Sequence, residues 1–140
     1  MDRDILEWLN QELALYEDLK QRAGEQLERI EAGDVPGFRE ASKRREEIQE
    51  RISAVEARIG PELKRVPDQG LASRAREIRG RIRAVALETQ ETDRATSAAA
   101  QDRRARAAER MGRLKKGRRG VRGYVATRAP RSPKFLDRQG

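Results

Sequence analysis

The chain has 140 residues, of which 40% are charged and 36% hydrophobic, with a net charge of +8. That length allows one domain at most, and the large apolar residues are too sparse for a thick core, so a thin helical bundle is the expected class. There is no cysteine and no histidine, which excludes disulfides, zinc sites, cysteine nucleophiles and serine-histidine triads.

Carboxylates alone can in principle hold a metal or move protons, but here they fall at solvent-facing helical positions. No catalytic residue, metal or cofactor is therefore expected, and the protein reads as a non-enzyme. The start, MDRDILEWLN, is acidic and its apolar run is short, unlike a secretory signal. No stretch approaches the roughly 18 apolar residues that cross a bilayer. A cytoplasmic location without membrane insertion follows as the expectation. The net charge conceals a split: residues 1–70 hold 12 Lys+Arg against 17 Asp+Glu, a net of −5, and residues 71–140 hold 20 against 7, a net of +13. Two ends with opposite charge suggest two jobs.

From Asp4 to Ala32 apolar residues recur at steps of three and four: Leu6, Leu9, Leu13, Tyr16, Ala23, Leu27 and Ile30, with a vacancy at Lys20. This is the stripe of an amphipathic helix with a heptad-like seam. Gly33 stands where a helix stops, Asp34 can cap the next one, and Pro36 suits its first turn. The second helix carries Phe38, Ala41, Ile48, Ile52, Val55 and Ile59, with Arg45 in one seam slot, and Gly60-Pro61 is expected to end it. Two helices joined by so short a link lie antiparallel, so residues 1–60 form a hairpin about 40 Å long.

Residues 61–70, with two prolines and a glycine, read as a connection. A third helix is expected over 71–117, with a seam at Leu71, Ala75, Ile78, Ile82, Val85, Thr89, Thr92 and Ala99. The hairpin can accompany only about 28 residues of it, so the stretch from Ala99 to Lys116 is expected to project beyond. Residues 118–140 read as a flexible basic tail. The fold class is thus all-α: an elongated hairpin plus a long third helix, in a coiled-coil-like three-helix bundle.

The small residues Thr89, Thr92, Ala95 and Ala99 follow Val85 on the third seam, and small side chains let a partner helix approach closely. Met111 and Leu114 are the sizeable apolar residues of the stretch beyond. Such a short basic helix is marginal alone and orders best on a partner. Tyr124 and Phe135 lie in the tail, where Pro130 and Pro133 keep the chain extended. Together these nine residues are the candidate partner-binding set. The basic run RRARAAERMGRLKKGRRGVRG also attracts phosphates weakly and non-specifically. It has no aromatic for base stacking and no Gly-Lys-Ser/Thr phosphate loop.

The segment LEWLNQELALYEDLKQRAGEQLERIEAGDVPGFREASKRREEIQERISAVEARIG resembles the amino-terminal hairpin of FlgN/FliT-type flagellar export chaperones. It shares the Leu/Tyr-bearing first helix, the Gly33-Asp34 link and the charged second helix. The ending GYVATRAPRSPKFLDRQG is similar to the Gly-Tyr, then Pro-x-Phe-x-Asp-x-x-Gly ends of FlgN-like chains. Where those chains often carry asparagines, this one has Thr89 to Asp93. The resemblance implies a cytoplasmic chaperone that binds an amphipathic terminal helix of a hook-filament junction or cap subunit through its carboxy-terminal helical region. Such a chaperone prevents early assembly and delivers its cargo to an export gate component, with Tyr124 a candidate contact. It would act as a monomer or dimer. The alternatives are a structural coiled-coil or adaptor protein, and a basic nucleic-acid-binding accessory protein.

Overall fold

The computed structural model describes residues 2–65 and 68–128, with side chains described over 4–65 and 68–119. Helix α1 spans Asp2–Ala32, α2 spans Val35–Leu63 and α3 spans Gln69–Arg128. The fold is an all-α, three-helix bundle.

The α1–α2 link is built from local chemistry. Gly33 takes φ 73°, a left-handed conformation that costs glycine little. Asp34 N–H donates back to Arg29 O at 2.9 Å and Gly33 N–H to Ile30 O at 3.2 Å, which satisfies carbonyls left over at the end of α1. The Asp34 carboxylate then caps α2, its Oδ1 accepting from Gly37 N–H at 3.0 Å. A side chain at Gly37 would collide with that carboxylate.

Two boundaries differ from expectation. Helix α2 continues through Pro61 to Leu63. Proline removes only one bond in a final turn, and Leu63 packs on the core formed by Ile5, Leu9, Ile59 and Ala75, so the last turn is held from outside. Helix α3 begins at Gln69, two residues early, because Asp68 caps it: Oδ1 accepts from Gly70 N–H at 2.9 Å. The link therefore narrows from 61–70 to 64–68, of which 66 and 67 lie outside the described residues.

The end of α3 is a larger correction. The helix runs 60 residues to Arg128, through Gly112 and Gly117 and eleven residues into the stretch read as a flexible tail. A lone glycine costs about 1 kcal/mol relative to alanine, and the strong formers Arg, Lys, Met and Leu surround both. Residues 129–140, Phe135 included, lie outside the described residues.

Among the described residues, close Cα approach, within 8 Å, is concentrated between α1 and α2. One core cluster joins Ile5 and Leu9 to Ile59 and Ala75, with Trp8, Val55, Leu63 and Ile78 against it. A second joins Leu19 to Ile48 and Ile52, flanked by Leu15 and Tyr16. The seams expected for α2 and α3 are the buried ones. That of α1 is buried only in part: of the expected residues Leu9 and Ala23 are buried and Leu6, Leu13, Tyr16, Leu27 and Ile30 are half-buried, while Ile5, Glu12, Leu19 and Gln26 complete the buried line. Helix α1 faces two neighbours, so its buried line is centred between two apolar rows. Glu12 and Gln26 sit on that line, which hides it from an apolar count.

Candidate partner-binding site

Contacts divide the chain into two compact units, residues 1–100 and 101–140. Val85 to Ala99 belong to the first. Thr89 is buried, 4% exposed, and its hydroxyl donates to Val85 O at 3.0 Å. Thr92 donates to Glu88 O at 3.2 Å and Thr96 to Thr92 O at 3.0 Å. These back-bonds let hydroxyls sit on a helix without other partners. Val85, Thr92 and Ala99 are half-buried, and Ala95 is exposed. The half-buried line of α3 thus passes through Thr96 rather than the expected Ala95, and Thr89 is inside the bundle rather than on an open surface.

What faces this seam is polar. Arg45 on α2 makes a two-pronged contact with Asp93, Nη1 to Oδ1 at 2.6 Å and Nη2 to Oδ2 at 2.7 Å. The same Nη1 donates to Gln26 Oε1 at 2.8 Å, and Gln26 Nε2 donates to Ser42 Oγ at 2.8 Å. Ser42 Oγ in turn donates to Phe38 O at 2.9 Å. The bond to Asp93 raises the Arg45 guanidinium pKa against the opposing effect of burial. Lys20 on α1 pairs with Glu88 on α3. Small residues on α3 leave room for these long side chains. The network was missed as a site. Its one signal was that the two polar interruptions of the apolar seams, Lys20 and Arg45, are both ion-pair members.

The pairs also set direction. Ile59 clusters with Ala75 while Arg45 meets Asp93, so α3 runs antiparallel to α2. Ile5 clusters with Ala75 and Lys20 meets Glu88, so α3 runs parallel to α1.

A second polar cluster lies nearer the start of α1. Tyr16 Oη donates to Glu56 Oε1 at 2.9 Å, and burial followed by that bond pushes the phenol up to about 12. Glu12 is 8% exposed. Burial first, and then repulsion from Glu56, raise its pKa against the attraction of Arg79. The native state therefore holds this proton more tightly than the unfolded chain does. Its stabilising effect is present at low pH and is lost as pH rises through the raised value. Glu12→Gln is expected to raise the melting temperature at neutral pH by a few degrees. The gain should vanish at about pH 4, where the native carboxyl is already protonated. Thermal melts across that range provide the check, and a gain independent of pH would contradict the assignment.

In the second unit every described residue from Gln101 to Arg119 is exposed. Met111 and Leu114 are each 61% exposed and stand one turn apart on one helix face. Tyr124 lies within α3, with its side chain outside the described set.

Among the described residues no group of acidic side chains is placed to hold a metal ion, and no helix is long and apolar enough to cross a membrane. No family model matches the chain, and no curated protein and no solved structure matches it.

Proposed function

We propose that this chain is an export chaperone of the FlgN/FliT type that captures an amphipathic helix of a hook-filament junction or cap subunit. The observation that carries the reading is the 101–119 stretch of α3. It is helical throughout, fully exposed, and holds Met111 and Leu114 on one face amid arginines and lysines. An isolated basic helix gains little from its own sequence. A cargo helix laid along Met111 and Leu114 supplies the missing apolar partner. The surrounding cations raise the encounter rate with an acidic partner. The cargo's assembly helix would be covered while bound, and delivery to an export gate component would release it.

The test is capture of a purified junction or cap subunit by the full chain. Burying two such side chains contributes several kcal/mol, so Met111→Glu/Leu114→Glu is expected to weaken capture about 100-fold. Both sites are exposed, so the melting temperature should hold. Unchanged capture would remove the reading. Tight RNA or DNA binding instead, with a steep salt dependence that disappears when the basic residues of 103–122 are neutralised, would favour the nucleic-acid alternative.

A further inference from the structure

The first unit has a groove on the α1–α2 hairpin that the cargo reading does not use. Its lining is largely apolar, with Leu15 and Val55 half-buried and Ala14 and Ala54 exposed beside them. Arg51 and Arg58 form one wall and Gln11 the other. The two arginines belong to a row at heptad spacing on and just beyond α2: Arg44, Arg51, Arg58 and Arg65. Arg44 is paired with Glu40 at 3.1 Å. No ion pair holds Arg51 or Arg58 among the described residues. The groove therefore offers an apolar floor with two cations on one edge that no ion pair holds, with Glu47 and Glu62 one turn beyond them on α2.

We propose that this groove is a second docking surface, separate from α3, which takes an acidic amphipathic helix of another protein. Seven helical residues span about 10.5 Å along the axis. A helix lying along α2 with carboxylates seven residues apart would meet both guanidinium groups at once. Arginine pairs with carboxylates in a planar, two-pronged geometry that lysine does not match. Between those carboxylates, the apolar stripe of the guest would rest on Leu15 and Val55. Ala14 and Ala54 are small enough to let its backbone come close. A second copy of this chain fits less well. Pairing the groove with itself would bring four arginines together with no acid among the lining residues. Asp18, one turn beyond Ala14 on α1, is already engaged by Arg22 at 3.3 Å.

The experiment uses the full chain and a synthetic, tryptophan-free peptide of about twenty residues, long enough to form a helix. The peptide has an alanine-leucine stripe flanked by glutamates seven residues apart. Binding is read by calorimetry and by the emission of Trp8, the single tryptophan, one turn before Gln11 on α1. The glutamate peptide should bind and its lysine counterpart should not. Arg51→Glu/Arg58→Glu should weaken the glutamate peptide tenfold or more and accept the lysine peptide instead, with helical content unchanged. Ala54→Phe, which fills the floor, should weaken binding without altering charge. The Met111→Glu/Leu114→Glu chain should bind as well as the native one, which keeps this surface distinct from the cargo site. Absence of binding, equal binding of the two peptides, or insensitivity to the double charge reversal would overturn the proposal. So would a dimer in sedimentation that Arg51→Glu/Arg58→Glu dissociates, since the groove would then belong to a second copy.

Discussion

Replacing Leu9 with alanine is expected to destabilise the 1–100 unit by about 3 kcal/mol. Leu9 is 1% exposed, the most deeply buried large side chain among the described residues. It lies where all three helices meet, touching the cluster of Ile5, Ile59 and Ala75 with Trp8, Val55, Leu63 and Ile78 around it. Truncation removes the transfer energy of the lost atoms and leaves a void that three packed helices can fill only in part. The bundle is thin, so few other residues share this work. A domain this size is stable by only about 5–15 kcal/mol, so the melting temperature should fall on the order of 15 °C. Trp8 adjoins the site, and its emission can follow urea or thermal unfolding of this unit directly. A loss below about 1 kcal/mol would mean that the three helices do not share this cluster in solution.

Arg45→Ala is expected to cost about 2 kcal/mol, through a different cause. The mutation deletes a two-pronged ion pair and leaves Gln26 Oε1 and the Asp93 carboxylate without that donor. An unmatched polar group inside a fold costs its desolvation in full. The Arg45 side chain is only 19% exposed but Asp93 is 36% exposed, so water reaches one partner and the cost stays below that of a sealed pair. The exposed pair of Arg44 with Glu40 gives a comparison on the same helix, and Arg44→Ala should change stability by only about 0.3–0.5 kcal/mol. Asp93→Ala should be partly redundant with Arg45→Ala, giving a coupling of about 1 kcal/mol in a double-mutant cycle. Additive losses would show that the contact contributes nothing beyond its separate members. Because the pair joins α2 to α3, the loss should also speed hydrogen exchange in α3 around Thr89 to Thr96 more than in the hairpin.

Much of the fold was legible because its signals act over a single turn. Gly33, Asp34 and Pro36 mark the hairpin link by what their backbones and side chains can do locally. The buried face of α2 was readable from Ala41 to Ile59, since its apolar residues lie in one row. The seam of α3 was readable to Thr92 for the same reason. Of the candidate residues, Met111 and Leu114 stand exposed on one face, as their isolation in a basic stretch implies. Thr89 looked like the floor of an open groove from its size alone, yet burial depends on what lies opposite.

The remaining features needed the three helices in place. The sequence by itself determined an all-α chain, a capped hairpin, the α2 and α3 seams and the charge split between halves. Only the tertiary structure decided the phase of α1, because Glu12 and Gln26 become core residues through neighbours far along the chain. It also decided the passage of α3 through Gly112 and Gly117, where flanking helix formers outweigh a weak local penalty. The pairing of Arg45 with Asp93 spans 48 residues of sequence. Propensity and capping are short-ranged, whereas an ion pair between helices exists only once docking has set which faces meet.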